Sequence, residues 1–297
     1  MAPPPLGLAL DDAAAVAVRV GDDGVEARAT APANGDLGAA AIRALDEIAA
    51  GAASGTRAVG VASVTPESAA VAAAVAQLAK KFAGPSAATP AGVCAAVGEA
   101  WVGAGRGVGD VVLFAVGIHA IGGIVRGGLP ITGARGRAGS VGWVSLNPVE
   151  REDYRKVGCV EAEVAAAGIV RRMIWRIKAG DRSRVQDAVN DDLSAITVDH
   201  ILSAARANDG VSISVVRDTA KYLGMAAANL VALADPEMLV LGGIMASAAD
   251  LLLEPIRVEL GRRLPKAMVD GLAVETATLG DEAAAIGAAR LAGAAVR

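Results

Sequence analysis

Hydrophobic and polar positions follow two different periods along this chain. Contiguous apolar runs bounded by turn residues, such as Leu6–Leu10 and Ala58–Ala62, predict buried strands. Regularly spaced apolar residues, such as Ile42 and Leu45 within Leu37–Ile48, predict a helix with one buried face. Strands that alternate with helices in two halves predict an α/β protein with mixed sheets.

The same two periods extend over the rest of the chain. The further predicted strands are 15–20, 26–29, 111–116, 122–126, 238–241 and 272–278, and the predicted helices are 66–82, 93–102, 161–177, 182–188, 198–206, 212–234, 249–264 and 283–295. Asp11 and Asp12 are predicted to form the turn of a hairpin, and Gly21–Gly24 a second turn. Residues 147–157 are predicted to be a polar loop.

Composition narrows the possible function classes. The chain is 54% hydrophobic but only 2% aromatic, so Ala, Val, Leu and Ile must build its cores. A net charge of -4 gives no basic footprint for nucleic acid. Cys94 and Cys159 are too few and too far apart for a disulfide framework. The apolar run Val111–Val125 is interrupted by glycines and too short to span a membrane. We therefore expect a cytoplasmic protein without nucleic-acid or membrane partners.

A series of glycine-rich segments gives the strongest functional signal. The segments are Val116–Gly128, Gly133-Ala134, Arg137–Trp143, Gly158–Glu161, Leu241–Gly243 and Leu279–Ala289. Together they are similar to the signature of the ROK family (repressor, open reading frame, kinase). The resemblance implies an α/β, actin-like ATPase (ribonuclease H-like) fold with two lobes and a central cleft. It implies an N-terminal lobe at 1–106, a larger lobe at 107–282, and a last helix, 283–297, that packs back on the first lobe.

The resemblance also locates the catalytic base that a sugar kinase needs. Active family members supply an Asp from an Asn-Asp pair that precedes a helix ending in Gly-Glu. With Pro85 and Gly98-Glu99 as fixed points, the pair falls on Pro90 and Ala91. A methyl group accepts no proton, and general base catalysis contributes about 10²–10⁴-fold. We expect Ala91 only to fill space at a helix start.

Both phosphate-binding turns of the family are altered. The first falls on Ala9–Ala14, where Asp11 and Asp12 replace the glycines. These aspartates either form an ordinary turn or hold Mg²⁺. The second falls on Gly117–Gly123, where Ile118, His119 and Ile121 replace residues that let backbone approach phosphate. His119 is either structural or a phosphate ligand or acid.

The family's zinc knot has lost its ligands. Its His position holds Trp143 and its first two Cys positions hold Glu152 and Tyr154, so only Cys159 remains. We expect no bound metal, and we expect packing of Trp143 and Tyr154 to hold the segment instead.

A few ligand-binding positions of the family survive. Glu161 stands at a sugar-binding Glu position, whereas Ser140 replaces another Glu. Gly122 and Gly123 remain from the second phosphate turn. Gly242 and Gly243 stand where the family approaches the nucleotide. These four glycines are the candidate cofactor-binding residues. No cofactor is expected beyond weak residual binding of ATP or ADP.

These substitutions favour a catalytically inactive sugar-kinase homologue (pseudokinase) kept for ligand binding, regulation or assembly. One alternative is an ATP-dependent sugar or amino-sugar kinase whose chemistry has moved to Asp11, Asp12 or Glu99. Another is a small-ligand sensor without a DNA-binding domain, since the family's winged helix would precede Leu6 and we expect no room for it. The scarce aromatics near the former zinc knot suggest a homodimer, or a heterodimer with an active paralogue.

Overall fold

A computed structural model of the chain describes residues 5–21, 24–49, 58–82 and 87–295. Asp22, Asp23 and Pro85, which enter the sequence analysis, lie outside the described residues. The strands form two five-stranded sheets. They are β1 (Leu6–Leu10), β2 (Ala14–Gly21), β3 (Gly24–Pro32), β4 (Val59–Ser63), β5 (Thr89–Pro90), β6 (Val111–Val116), β7 (Ala120–Arg126), β8 (Leu129–Pro130), β9 (Met238–Gly243) and β10 (Ala273–Thr276).

Helices follow the strands in the order that the sequence pattern predicts. They are α1 (Leu37–Ala49), α2 (Ala69–Lys81), α3 (Ala91–Val102), α4 (Glu152–Val157), α5 (Cys159–Val164), α6 (Ala166–Lys178), α7 (Arg184–Ala188), α8 (Val198–Arg206), α9 (Gly210–Ala234), α10 (Ile244–Ser247), α11 (Ala249–Arg263), α12 (Lys266–Val269) and α13 (Ala283–Ala295). None of these described helices combines the length and apolar character that a membrane crossing requires.

The first sheet has the order β3-β2-β1-β4-β5. Its first three strands are antiparallel, and β4 runs parallel to β1. The alternation of side chains along β1 sends Leu6 and Leu8 into a core with Leu45 of α1 and Leu78 of α2. The last helix, α13, packs on α3 and β1 and places Ile286 against β2.

The second sheet has the order β10-β9-β6-β7-β8. The Val111–Val125 run is confirmed as two strands joined by a turn at 117–119. The longest helix, α9, starts at the side-chain cap of Asp209 and ends at Asp235 in the left-handed conformation. Burial lowers the solvation of the Asp209 carboxylate, but hydrogen bonds from Arg184, Ser212 and Ser183 hold its pKa below the usual value.

Contacts divide the chain into two compact units. The first unit comprises Met1–Leu113, Gly122–Gly139 and Ala277–Arg297, and the second unit comprises Phe114–Ile121 and Ser140–Thr276. The lobe boundaries at 106 and 282 that the family resemblance implies stay predictions.

Several helices differ from the sequence prediction, and the short helices α10 and α12 were not predicted at all. The loop predicted at 147–157 contains α4, which begins with two acidic residues and ends with Arg155 and Lys156, a charge order that suits the helix dipole. The single helix predicted at 161–177 is two helices, because Ala165 is extended (φ -67°, ψ 160°). The Ala166 N–H donates to the Gly117 carbonyl at 2.9 Å. A long-range contact of this kind leaves no signal in local periodicity.

Candidate functional site

The turn that replaces the second phosphate turn is closed by its own hydrogen bonds. The Gly117 N–H donates to the His119 carbonyl at 2.9 Å, and the Gly117 carbonyl accepts from Ala166 N at 2.9 Å. Ile118 projects from the turn and is 71% exposed. The Gly117 N–H is therefore already bonded within the turn, and an apolar side chain occupies the tip.

Glu161 is bonded to the same turn. One carboxylate oxygen, Oε1, lies 2.8 Å from His119 Nδ1, and the other, Oε2, accepts from Ala120 N at 2.6 Å. Because a carboxylate can only accept, Nδ1 carries the proton in this pair and Nε2 is the ring atom left for other partners. The Glu161 side chain is 16% exposed and that of His119 43%. The pair is thus an oriented histidine held by a mostly buried carboxylate.

Gly122 and Gly123 lie in the first unit and are buried within β7. There the start of α3 crosses the strand backbone to backbone. A Cβ on Gly123 would lie 2.2 Å from the Gly92 carbonyl oxygen, and a Cβ on Gly92 would lie 2.1 Å from that of Gly122. Close packing therefore accounts for these glycines by itself. Their cofactor-binding role stays a prediction.

Ala91 is the first residue of α3, after Pro90 at the N-cap, and is 7% exposed. It fills space at the helix start, where the family resemblance puts a catalytic base.

Glu99, one candidate for relocated chemistry, is fully buried. Its carboxylate accepts from the N–H groups of Ala104, Thr278 and Leu279 at 2.8, 3.0 and 2.9 Å. These bonds tie α3 to the segment before α13 and give the carboxylate a structural role within the first unit.

Asp11 closes the predicted hairpin between β1 and β2. Its Oδ1 accepts from Ala13 N at 2.8 Å and Ala14 N at 2.7 Å, and its own N–H donates to the Ala14 carbonyl. This is an Asx turn, the ordinary use of aspartate at such a position. Asp12 beside it is exposed. No group of three or more His, Cys, Asp or Glu among the described residues is arranged to hold a metal ion.

Gly242 and Gly243 end strand β9. Gly243 adopts φ +62°, and a Cβ there would lie 1.9 Å from the Val116 carbonyl oxygen. The tight turn after β9 thus requires glycine whether or not a nucleotide binds, and the nucleotide role of this pair stays a prediction.

The segment that corresponds to the zinc knot is held differently from our expectation. Packing of Trp143 was expected, but its side chain is 61% exposed. Tyr154 instead donates its hydroxyl to the buried carboxylate of Glu163. The same carboxylate accepts from Arg151 Nη1 at 3.1 Å and Arg172 Nη2 at 2.8 Å. An ionic network therefore ties the segment to α5 and α6.

The Glu163 carboxylate at the centre of this network is buried, with its side chain 5% exposed, and its partners are partly exposed. Burial and the hydrogen bond to Glu163 raise the pKa of Tyr154 to about 12. The guanidinium of Arg151 also lies over the Tyr154 and Trp175 rings, 5.0 and 5.3 Å from their centroids. The sequence analysis missed Glu163. The only signal in the sequence was an acidic residue two positions after Glu161. Arg151 and Arg172 come close to Glu163 only in the folded protein.

The two sheets, the closing helix on the first sheet and the glycine turns define an α/β protein with the actin-like ATPase fold. Residues 60–295 match the ROK family. The chain belongs to the ROK family.

Relatives in this family include both enzymes and regulators. The chain is 36% identical over 196 residues to a glucokinase of Halalkalibacterium halodurans, covering 65% of this chain and 59% of the relative. It is 30% identical over 198 residues to a xylose repressor of Caldicellulosiruptor bescii, covering 65% of this chain and 48% of the relative. The chain thus spans about half to three fifths of the length of these curated relatives.

Among solved structures, a ROK glucokinase of Streptomyces griseus, in complex with glucose and AMPPNP, superposes with a TM-score of 0.79. The two chains share 22% identity, and the match covers 98% of this chain and 99% of the other. At this identity the likeness establishes the fold.

Proposed function

We propose that this protein is a catalytically inactive sugar-kinase homologue that is kept for ligand binding, regulation or assembly. The observation that carries the proposal is the bonding of Glu161. Both of its carboxylate oxygens are engaged by the adjoining turn, through His119 Nδ1 at 2.8 Å and Ala120 N at 2.6 Å. A carboxylate in this state has less capacity to accept hydrogen bonds from sugar hydroxyls.

Two further features support the loss of phosphoryl transfer. In-line transfer depends on positioned donors around the phosphates and on a group that accepts the hydroxyl proton. Here the Gly117 N–H is bonded within the turn and the Ala120 N–H donates to Glu161, and the base position holds the buried methyl of Ala91.

The competing hypothesis is an active kinase whose catalytic residues stand at other positions than in the family. The bonds made by Asp11 and Glu99 give both carboxylates structural roles, which weakens this reading. The sensor reading has support from the xylose repressor among the relatives. A protein without a cofactor, or with weak residual binding of ATP or ADP, fits both the inactive sugar-kinase homologue and the small-ligand sensor.

A coupled kinase assay tests the proposal. We expect no ATP-dependent turnover with glucose, mannose, N-acetylglucosamine or N-acetylmannosamine. Turnover that persists after removal of host kinases and disappears in Asp12→Asn would overturn the proposal in favour of the relocated kinase.

The His119→Gly variant tests whether the bond between His119 and Glu161 prevents sugar binding. It frees Glu161 Oε1, so we expect glucose to raise its melting temperature while wild type shows no shift, because only bound ligand stabilises the folded state. A glucose-dependent shift of equal size in wild type would contradict the proposed role of the His119–Glu161 pair.

We also propose a homodimer, or a heterodimer with an active paralogue. Trp175 and Val157 support this, because they are 52% and 45% exposed in the second unit and such side chains suit an interface. Tyr154, in contrast, is engaged within its own subunit. Light scattering that gives a single species near 29.4 kDa at micromolar concentration would exclude the homodimer.

A further inference from the structure

The second unit contains a cavity of about 310 Å³ beside the ionic network. Its volume falls at the lower end of the range of small-molecule sites, roughly 300–1,000 Å³. It is lined by Trp143, Ser145, Asn147, Pro148, Val149, Glu150, Arg151, Tyr154, Arg155 and Cys159. None of these residues belongs to the turn at 117–121 or is Glu161, so the cavity is a separate feature from the candidate site.

The cavity wall combines an aromatic surface with hydrogen-bonding groups. Trp143 is 61% exposed, so most of its ring is open to a ligand. Ser145 and Asn147 also line the cavity. The Ser145 hydroxyl donates to the Asn147 carbonyl, and the Asn147 amide bonds to Tyr154 and Val149, so the Ser145 oxygen can still accept from a ligand hydroxyl. An aromatic platform with a few polar groups is the usual composition of a site for a small, polar ring.

The charges around the cavity favour an anion. The ion-paired side chains here are four arginines and three carboxylates, namely Arg151, Arg155, Arg171, Arg172, Glu150, Asp153 and Glu163. This local excess of positive charge stands out in a chain whose net charge is -4. Among the residues that the structure describes, Arg155 is paired with Glu150, at 3.3 Å, and its side chain is 65% exposed. An exposed pair of this kind is weak, so the guanidinium is available to a ligand.

We propose that this cavity binds a monosaccharide that carries an acidic group, with the ring on Trp143 and the acid on Arg155. The acid is a carboxylate or a phosphate, since a guanidinium binds either one with two parallel hydrogen bonds. The inference concerns residues outside the candidate site and holds whether or not the protein is a kinase.

Tryptophan fluorescence and calorimetry with glucuronate and glucose 6-phosphate test the proposal. We expect saturable binding of at least one of them, with a fluorescence change that is lost in Trp143→Phe. The ligand that binds more tightly of the two shows whether the acidic group is a carboxylate or a phosphate. Glucose alone and inorganic phosphate alone should bind at least tenfold more weakly. Glucose lacks the acidic group for Arg155, and phosphate lacks the ring for Trp143.

Arg155→Gln should weaken binding of the acidic sugar by about tenfold or more, as expected for a lost charged hydrogen bond. Lys266→Gln removes another exposed cation, paired with Asp270 at the end of α12 and outside the cavity lining, and should leave the affinity unchanged. Equal effects of the two variants, or no binding of either acidic sugar, would overturn the proposal. It would also be overturned if Trp143→Ala converted a dimer to a monomer in light scattering, because a second copy would then cover the cavity.

Discussion

Two carboxylates on the same short helix have opposite surroundings. Glu161 and Glu163 are two residues apart on α5, so their side chains leave the axis about 200° apart. Glu161 faces the turn at 117–120, where it is bonded to His119. Glu163 is 4% exposed among two guanidiniums and a tyrosine hydroxyl. One carboxylate therefore belongs to the candidate site, and the other holds the segment that corresponds to the family's zinc knot, where we expected no metal.

The largest expected effect follows from Glu163. In Glu163→Gln, Arg172 and Arg151 lose a buried counter-charge, and breaking a buried pair typically costs about 3–5 kcal/mol. We expect a loss of that size in the free energy of unfolding, measured in urea. The matched control is Glu152→Gln, whose side chain is 73% exposed and pairs with Lys156. It should change stability by less than about 1 kcal/mol.

A smaller effect is expected at Glu161. Glu161→Gln removes the carboxylate oxygen that lies 2.8 Å from His119 Nδ1 but keeps an oxygen for the Ala120 N–H, so we expect a loss of about 1–3 kcal/mol in the free energy of unfolding. A double-mutant cycle with His119→Gln isolates the coupling between the two side chains, expected at about 0.5–1.5 kcal/mol. Equal losses at Glu161 and Glu163 would remove the contrast between them.

Alkaline pH tests the environment of Glu163 through Tyr154. The folded pKa of Tyr154 is raised from 10.0 to about 12, so the folded state keeps a proton that the unfolded state releases. This contribution to the stability is fully present below pH 10 and is lost as the pH rises towards 12. The raised pKa corresponds to about 2.7 kcal/mol, and solvent screening of this partly exposed side chain reduces the expected loss to about 1 kcal/mol. Tyr154→Phe should flatten this part of the curve. Because the pKa of Tyr222 is also raised, mainly by burial, the variant keeps the Tyr222 contribution.

The smallest expected effect is that of a chelator. If the network around Glu163 alone holds the former zinc segment, EDTA should leave the melting temperature unchanged, and elemental analysis should find no stoichiometric zinc. One zinc per chain would contradict this prediction and reveal a site built from residues other than Trp143, Glu152 and Tyr154.

Local chemistry made much of the fold predictable. The hairpin at Asp11 carries its own turn residue, and α8 and α13 lie where the sequence pattern puts them. The break at Ala165 was not predictable, because it contains neither Gly nor Pro and depends on a bond to Gly117. The exposure of Trp143 was not predictable either, since the sequence allowed this aromatic residue to pack within the subunit or to lie at an interface.

The candidate site also has features that the sequence predicted and features that it could not predict. The sequence located Glu161, His119 and Ala91 one by one through the family resemblance. It could not show that His119 and Glu161 bond to each other, because 42 positions separate them along the chain. It also gave no sign that Glu163 bonds to two arginines and a tyrosine, of which Arg151 and Tyr154 belong to the α4 segment and Arg172 to α6.

The close crossing of Gly92 and Gly123 gives a sequence motif a reason to be kept that does not depend on the chemistry the motif serves in the family. A methyl group on either residue would collide with a carbonyl oxygen of the other segment, so sequence drift at these positions is opposed by folding alone. Selection for a stable first unit is then sufficient to preserve half of a phosphate-binding signature, whether or not the protein binds phosphate. In such lineages, the side chains that fill the other half of the signature are the better record of function.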